Sequence, residues 1–468
     1  MVFSSLTFLV YFFPAFFLVY FLTPNSWKNL VIFIGSSVFY FYGVIENPAY
    51  ILLIFLSVIV NFLISQKLDK RIPQQVRRRW IYIGSFYNFG ILFIFKYLDF
   101  FIENLNGIFK WTQIGIELPY AGLVLPIGIS FYTFQISSYL FDVYRNKIPV
   151  ERSVLKLGAY LCMFPQLIAG PIITYSQVRD ELAERKHSFL GWENGIREFT
   201  IGFALKVLIA NRLGGLWNQV NAIGYESIST SLAWLGIVAF SFQIYFDFYG
   251  YSLMAKGLGE IMGFHFPDNF KNPYLSKSMT EFFRRWHITL GSWFREYVYI
   301  PLGGNRNHHY RNLFIVWLLT GLWHGASWNF LLWSGICFVL ICIEKAGLSK
   351  LWNRFPIAGH IYMFLMIPLT WLVFAIIDIR DMGIYISRLF PFLCDSKSVV
   401  FEGDFIKYIK IYAWPLVGAI ICCSGLPRRI YEEKKNSFVS AFVLVILFWL
   451  CIYSMYIGLD DPFLYYQF

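Results

Sequence analysis

The chain has 468 residues, of which 57% are hydrophobic and 21% aromatic, while only 14% carry a charge. Soluble domains are roughly 45 to 50% apolar and about 25% charged, so the composition excludes an ordinary soluble protein and indicates a polytopic membrane protein. The net charge of +11 is explained by basic cytoplasmic loops, and it does not require a nucleic-acid partner.

Apolar segments long enough to cross a bilayer as helices recur along the chain. Together they predict an all-α fold with ten or twelve spans and further re-entrant or interfacial helices. Residues 154–174 and 192–213 give weaker signals, and 313–343 is too long for one span and short for two. The clearest segments are 3–22, 29–44, 48–65, 80–97, 121–141, 231–250, 358–377, 405–424 and 437–457.

Two loops rich in arginine and lysine predict the orientation of the chain. Residues 67–79 read "KLDKRIPQQVRRR" and residues 426–436 read "LPRRIYEEKKN", and short basic loops of this kind collect on the cytoplasmic side. Counting spans outward from them places both termini outside the cytoplasm and makes the number of spans even. The first apolar segment lacks a basic start and a cleavage site of small residues, so we interpret it as a retained helix.

The seven cysteines show neither metal-ligand spacing nor a disulfide pattern. Most of them fall inside apolar segments, so we expect ordinary buried thiols and no metal site. They are Cys162, Cys337, Cys342, Cys394, Cys422, Cys423 and Cys451.

The least membrane-like part of the sequence lies between 251 and 312. Residues 271–311 carry seven basic residues and two acids, interleaved with aromatic residues. Such an amphipathic segment is expected to lie in the cytoplasmic interface or to dip into the bilayer without crossing it. It has two readings: a helix anchored at the interface by its basic side chains, or a docking surface for an anionic cytoplasmic molecule.

Two of the seven histidines, His287 and His324, are embedded in aromatic sequence with little charge. An ionisable side chain within a membrane segment is costly and is functional by default, although a structural, hydrogen-bonded histidine is the alternative for each. Around His324, Gly321 and Gly325 form a G-x-x-x-G pair that lets another helix approach closely, so His324 should face protein. A buried neutral imidazole can accept a proton from a hydroxyl, which is the chemistry of a general base.

The other titratable residues suggest simpler roles. His265 is ambiguous, and Asp142 and Asp247 lie at the ends of apolar segments, where they can mark the interface. The sequence contains no H-E-x-x-H, G-x-S-x-G, phosphate-loop or dinucleotide-binding motif in a suitable setting. The remaining histidines sit in polar or loop-like contexts typical of a surface: His187, His308, His309 and His360.

Several long motifs, in order, resemble the membrane-bound O-acyltransferases. They include "LPIGISFYTFQ" (125–135), "FPQLIAGPI" (164–172), "YFDFYGYSLMAKGLGEIMGF" (245–264), "NFKNPYLSKSMTEFFRRWHITLGSWFREYVYIPLGGNR" (269–306) and "GLWHGASWNF" (321–330). The resemblance is strongest to the branch of the integral-membrane subunit of alginate O-acetylation, and the teichoic acid D-alanyl transferases are more distant. The sequence shows no tandem repeat, linker or long polar stretch, so we expect a single membrane-embedded domain over 1–468. The resemblance covers an acyltransferase core at about 1–345, and apolar C-terminal helices follow at about 355–457.

The resemblance also implies the reaction and its residues. The key histidine is that of "LWHG", His324, and the histidine of "RRWH", His287, is the second polar residue of the site. On this basis we expect His324 to act as the base, and His287 to orient it or to stabilise the oxyanion. The donor is expected to dock on the basic segment, where its candidate partners are Arg284, Arg285, Arg295 and Arg306.

The expected donor is acetyl-CoA or another acyl thioester, such as one on an acyl carrier protein, and no permanently bound cofactor is implied. Because such donors cannot cross a bilayer, the acyl group must reach the acceptor through a central tunnel or funnel. The acceptor would be a hydroxyl of an extracytoplasmic polysaccharide or of a partner acetyltransferase. The protein would then be a multi-pass protein of the cytoplasmic membrane, surrounded by membrane lipids.

Two readings from other classes compete with an enzyme. A polysaccharide or lipid exporter could use the buried histidines as a proton relay, but the sequence lacks the internal repeat that many secondary transporters show. A non-catalytic scaffold for an exported acetylation complex is the third possibility. Within the enzyme class, the motif match favours acetyl transfer over D-alanyl transfer.

Overall fold

A computed structural model describes residues 2–393 and 400–458, and these residues form two compact units. Unit 1 consists of Met1–Gly195 and Ala255–Pro267, and unit 2 of Ile196–Met254 and Asp268–Phe468. The described residues contain helices and no strands, which confirms the predicted all-α class. The organisation as a single domain stays a prediction, and the C-terminal residues after Gly458 and Cys394 lie outside the described part.

Among the described residues, unit 1 is built from nine complete helices and parts of two more. A π-helical turn, Phe8–Phe12, precedes the first of them. The helices are α1 (Phe13–Leu22), α2 (Lys28–Gly43), α3 (Tyr50–Gln66), α4 (Gln74–Lys96), α5 (Leu98–Trp111), α6 (Ile129–Tyr144), α7 (Val154–Cys162), α8 (Phe164–Leu167) and α9 (Tyr175–Ala183).

Unit 2 contains the longest apolar helices of the chain. Two helices, α10 (Phe189–Ala204) and α12 (Thr230–Ile261), contribute residues to both units. The others are α11 (Asn211–Ile223), α13 (Met279–Arg285), α14 (Ile288–Phe294), α15 (His309–His324), α16 (Trp328–Ile343), α17 (Ser349–Arg354), α18 (Pro356–Ala375), α19 (Ile379–Leu389), α20 (Asp404–Cys423), α21 (Leu426–Lys434) and α22 (Phe438–Tyr456).

Capping residues and a proline mark the first residues of several of these helices. The Ser153 side chain accepts a hydrogen bond from the Lys156 backbone amide and caps α7. Thr174 and Gln177 form a capping box at the start of α9, and Pro73 directly precedes α4. Each device satisfies or removes a backbone donor that a first helical turn leaves without a partner.

Among the described residues, six helices are long and apolar enough to cross a membrane, or seven if the bent pair α4 and α5 is one span. This number is smaller than the predicted ten or twelve. Much of the difference arises in unit 1, where α2 has 16 residues and α3 has 17, while a full crossing needs about 20. The six are Phe189–Ile223, Thr230–Ile261, Trp328–Arg354, Pro356–Ala375, Asp404–Cys423 and Phe438–Tyr456.

Proline and glycine divide three of the predicted segments. In 121–141 the helix begins only at Ile129, because Gly128, with a φ of +75°, follows a stretch without regular secondary structure. The segment 154–174 is two short helices, the second with Pro165 in its first turn. The segment 313–343 becomes two helices of 16 residues each, α15 and α16, separated by residues 325–327.

A buried ion pair lies inside unit 2. Lys206, in the π-helical turn Leu205–Ala210 between α10 and α11, donates to Oδ1 of Asp247 on α12 at 2.7 Å. The side chains are 0% and 2% exposed. Reading Asp247 as an interface marker was therefore wrong, because a buried carboxylate needs a cationic or hydrogen-bonding partner that sequence position does not reveal. Asp142 is also buried, with its carboxylate 3.7 Å from Lys147.

Candidate active site

The basic segment folds into two short helices, α13 and α14, joined at His287. Each helix has seven residues and is therefore about 10 Å long, so neither can cross a hydrocarbon core of about 30 Å. Among the described residues, none of the helices long and apolar enough to cross a membrane lies within 271–311, as expected, while the position of this segment at the cytoplasmic interface stays a prediction. His287 has a φ of +45°, which turns the chain sharply between the helices.

The start of α13 is fixed by two polar side chains. Ser278 caps the helix by accepting a hydrogen bond from the Glu281 amide. The buried carboxylate of Glu344 accepts hydrogen bonds from the Met279 and Thr280 amides, at 2.5 and 3.0 Å. A carboxylate at a helix N-terminus satisfies free amides and complements the helix dipole, so α13 presents the next residues in a defined orientation.

His287 is held by Asn269, which sequence analysis did not single out. The Oδ1 atom of Asn269 lies 3.0 Å from Nδ1 of His287. The same oxygen accepts hydrogen bonds from the Thr289 backbone amide at 3.3 Å and from the Thr289 hydroxyl at 2.9 Å. Because a backbone amide can only donate, the Asn269 atom that it faces is the oxygen.

This arrangement defines the tautomer of His287. An amide oxygen only accepts, so Nδ1 of His287 carries the hydrogen and Nε2 carries the lone pair. Within the described residues, that buried Nε2 atom has no hydrogen-bond partner. Burial, and to a smaller extent the charge of nearby His324, hold the pKa of His287 well below its usual range. The ring is therefore neutral near pH 7, with an acceptor nitrogen directed into the site.

Helix α12 supports this pair from behind. The Asn269 side-chain amide donates to the Ser252 hydroxyl at 3.2 Å. The Phe248 ring meets the His287 ring edge to face, with centroids 4.7 Å apart. Residues one turn apart on a helix lie on one face, so a single face of α12 fixes both His287 and the residue that orients it.

His324 is the last residue of α15 and is 7% exposed. Its ring contacts three aromatic rings at centroid distances of 5.0 to 5.2 Å, all close to perpendicular. These rings belong to Trp323, Trp333 and Phe374. The prediction that His324 faces protein is confirmed.

The close helix approach expected at the glycine pair is also present. A Cβ atom on Gly321 would lie 2.4 Å from the Ser334 hydroxyl and 2.8 Å from the Phe330 carbonyl oxygen. A side chain at Gly325 would collide with the Phe330 ring. Both neighbours belong to α16, so the glycines let α15 and α16 pack as a tight hairpin that carries His324 at its turn.

The two histidines come together at one indole. The Trp323 ring lies 5.0 Å from the His324 ring and 5.6 Å from the His287 ring. The turn at His287 and the hairpin thus bring together two histidines that are 37 positions apart along the chain. No sequence pattern specifies this meeting, because it depends on how α13 and α15 pack in unit 2.

The four arginines proposed for the donor differ in their surroundings. Arg284, Arg295 and Arg306 are exposed. Arg285 is half-buried and donates to the Glu281 carboxylate at 2.6 Å, one helical turn away. Its charge is therefore already partly matched, which makes Arg285 the weakest of the four as an anion ligand.

The other histidines divide into two kinds. His265 is exposed and pairs with Glu181, and His360 is exposed. The surface assignment of His187 was wrong, because both of its ring nitrogens are buried. Its loop-like sequence context gave no sign of the aromatic and basic side chains that cover it.

Comparison with known proteins identifies the family. Residues 133–387 match the model of the membrane-bound O-acyltransferase family, and this stretch includes Asn269 and both histidines. A probable alginate O-acetylase of Pseudomonas putida is 38% identical over 400 residues, covering 84% of this chain and 81% of the relative.

Two further relatives differ in their substrates. A peptidoglycan O-acetyltransferase of Helicobacter pylori is 32% identical over 416 residues, covering 80% of this chain and 77% of the relative. A teichoic acid D-alanyltransferase of Bacillus subtilis is 27% identical over 251 residues, covering 50% of this chain and 62% of the relative. The chain therefore belongs to the membrane-bound O-acyltransferase family and is a multi-pass membrane enzyme of O-acyl transfer.

Proposed function

We propose that this protein is an O-acetyltransferase that moves an acetyl group from a cytoplasmic thioester to a hydroxyl on the other side of the membrane. The observation that carries the proposal is the pair of buried histidines at Trp323, one of them held in an acceptor tautomer. Burying two imidazoles side by side in a membrane protein costs free energy, so their presence indicates a function.

The relatives support acetyl as the group transferred. The alginate and peptidoglycan enzymes are both named for acetyl transfer and match four fifths or more of this chain. The D-alanyl transferase matches only half of it. An extracytoplasmic polysaccharide of the alginate kind is therefore the proposed final acceptor, reached directly or through the hydroxyl of an exported partner acetyltransferase.

The reaction is an attack of a hydroxyl oxygen on the thioester carbonyl carbon. His324 takes the hydroxyl proton as the new C–O bond forms. The C–S bond then breaks, and the departing thiolate takes the proton back from His324. Acetate ester and free thiol are the only products, so neither a metal nor a redox partner is needed.

The tautomer of His287 favours one of the two roles expected of it, orienting His324, over the other, stabilising the oxyanion. A ring whose hydrogen is on Nδ1 has no N–H at Nε2, so it cannot donate to an oxyanion through that atom. The Nε2 lone pair can instead accept a hydrogen bond from the His324 ring and stabilise the charge that forms there. Apo structures often show such catalytic contacts in a looser geometry than the reacting complex.

The exposed arginines of the basic segment support donor docking. Phosphates of coenzyme A, or acids of a carrier protein, would pair with Arg284, Arg295 or Arg306, which arginine geometry favours. The donor is a substrate and not a resident cofactor. Its acyl group would enter by the proposed tunnel and meet the acceptor at His324.

The test is release of free thiol from acetyl-CoA by the purified protein, with and without a polysaccharide acceptor. We expect His324→Ala to lower the rate by about 10²- to 10⁴-fold, the usual contribution of general acid–base catalysis, and His287→Ala to lower it less. His360→Ala, at an exposed position, is the matched control and should retain full activity.

Each variant must purify as a folded protein with the wild-type melting temperature. Full activity of folded His324→Ala would reassign this residue to packing. Absence of acetyl transfer by the wild-type protein to any hydroxyl, with or without an exported partner, would overturn the proposed reaction.

A further inference from the structure

Unit 1 contains a second group of buried ionisable side chains, which we call the basic cluster: Lys28, Arg185 and His187. Lys28 is the first residue of α2, and the other two lie in the loop between α9 and α10. They surround Tyr20, whose hydroxyl donates to the Met262 carbonyl at 2.6 Å. The acyl-transfer reaction assigns these residues no role.

Lys28 and Arg185 are shielded from water, and His187 is half-buried with both ring nitrogens inside the protein. Lys28 is 6% exposed and Arg185 is 9% exposed. The Lys28 ammonium lies 5.0 Å from the centre of the Tyr20 ring, and the His187 ring packs against the same tyrosine at 5.6 Å. The Arg185 guanidinium stacks over Phe264, also at 5.0 Å.

Within the described residues, several polar atoms of the cluster have no hydrogen-bond partner. Neither Lys28 nor Arg185 forms a salt bridge there, and one terminal nitrogen of Arg185 is fully buried with no hydrogen-bond partner. The same holds for both ring nitrogens of His187. The nearby acid, Glu181, acts on Arg185 through its field, while its carboxylate binds His265 at 2.6 Å.

The pKa values of all three side chains in the basic cluster are lowered. Burial and the charge of Arg185 lower the pKa of Lys28, and burial lowers the pKa of Arg185 itself. Burial and both cations lower the pKa of His187 to about 4. Buried charges without a counter-ion are strongly destabilising, so an anion between these groups would remove a large energetic cost and would gain charge-assisted hydrogen bonds.

The surroundings of the cluster indicate which anion it meets. The adjacent ends of α1 and α2 carry exposed apolar and aromatic side chains, with Leu22 76% exposed, Trp27 60% and Phe21 43%. Tryptophan side chains such as Trp27 collect at the level of lipid head groups. A phosphate group presented there by a lipid would meet a guanidinium, an ammonium and an imidazole N–H, which match its oxygens.

We propose that the basic cluster binds the head-group phosphate of an anionic membrane phospholipid. Arg185 and Lys28 hold the phosphate oxygens, neutral His187 donates one hydrogen bond, and the acyl chains lie along the apolar ends of α1 and α2. The lipid would thereby hold the loop before α10 against the start of α2.

The probe is phosphatidylglycerol, titrated onto the full-length protein in detergent and counted by native mass spectrometry. We expect the tightest binding event to weaken at least tenfold in the double variant Lys28→Gln, Arg185→Gln. Lys186→Gln removes one positive charge at the neighbouring, exposed position and should leave this event unchanged. Arg185→Lys keeps the charge and should retain most of the binding, which guards against misfolding of the double variant.

Coenzyme A and inorganic phosphate, added separately, distinguish a lipid from a soluble phosphate. If either displaces phosphatidylglycerol at micromolar concentration, or binds in a cluster-dependent way while the lipid does not, the proposed lipid site is wrong. Unchanged phosphatidylglycerol binding by the folded double variant would also overturn it.

Discussion

The two histidines illustrate what single residues can and cannot reveal. Their aromatic, uncharged sequence surroundings indicate burial, and the structure places both in the protein interior at 3% and 7% exposure. Their relation to each other depends on Trp323, and the hydrogen on Nδ1 of His287 depends on Asn269, 18 positions earlier. An asparagine in a loop gives no pattern that would single it out.

Asn269 offers a direct test of the proposed role of His287. In Asn269→Asp, a carboxylate would replace the amide oxygen and favour the charged imidazolium, so the pKa of His287 should rise. Activity needs the neutral ring, and it should therefore be lost at a higher pH than in the wild type as the solution is acidified. The measurement is the pH dependence of kcat/KM.

Two further variants complete this experiment. Asn269→Leu removes the hydrogen-bond acceptor without adding charge. It should therefore lower kcat/KM at every pH without shifting the pH at which activity is lost on acidification. Asn307→Asp changes the charge at an exposed position of the same segment and should leave the profile unchanged. A profile for Asn269→Asp that superimposes on the wild type would remove His287 from the proton pathway.

Among the elements, the hairpin of α15 and α16 was partly predictable. The glycine pair indicates close helix approach, but the length of 313–343 does not decide between one helix and two. The packing of Gly321 on Ser334 and Phe330 resolves this, because the chain turns back at residues 325–327 and buries the small face within the hairpin. The contact of Trp323 with His287 joins α15 to the turn between α13 and α14, and no pattern of neighbouring residues predicts it.

We expect Gly321→Val to force this hairpin apart, because its Cβ would lie closer to Ser334 and Phe330 than any real contact allows. Overpacking of this kind costs about 1–3 kcal/mol, so the melting temperature should fall, and acetyl transfer should fall with it. Gly335→Val is the matched control, since no heavy atom lies within 4 Å of its Cβ position apart from its own helix backbone and chain neighbours. Equal melting temperatures for the two variants would contradict a tight hairpin at Gly321.

For the whole molecule, composition and apolar segments already determine a helical, multi-pass membrane protein. Composition and apolar segments do not reveal buried charges. The ion pair between Lys206 and Asp247 and the basic cluster are two examples. Hydropathy averages over neighbours along the chain, and it therefore cannot identify a charge whose partner lies on another helix.

The orientation of the chain stays a prediction from its basic loops. If 67–79 is cytoplasmic, a cysteine introduced at exposed Lys70 should react with a membrane-impermeant maleimide only after the cells are opened. A cysteine at exposed Glu46, on the other side of α3, should react in intact cells. The reverse labelling pattern would invert the proposed topology and with it the direction of acyl transfer.

The sequence by itself determined the helical class, the membrane location and the burial of the two histidines, because each of these can be inferred from residues that are neighbours along the chain. Tertiary structure alone decided that the histidines share Trp323, that Asn269 orients one of them, and that three basic side chains surround Tyr20. These contacts join residues 8 to 167 positions apart along the chain. Such contacts depend on three-dimensional packing, and no local pattern of residues encodes them.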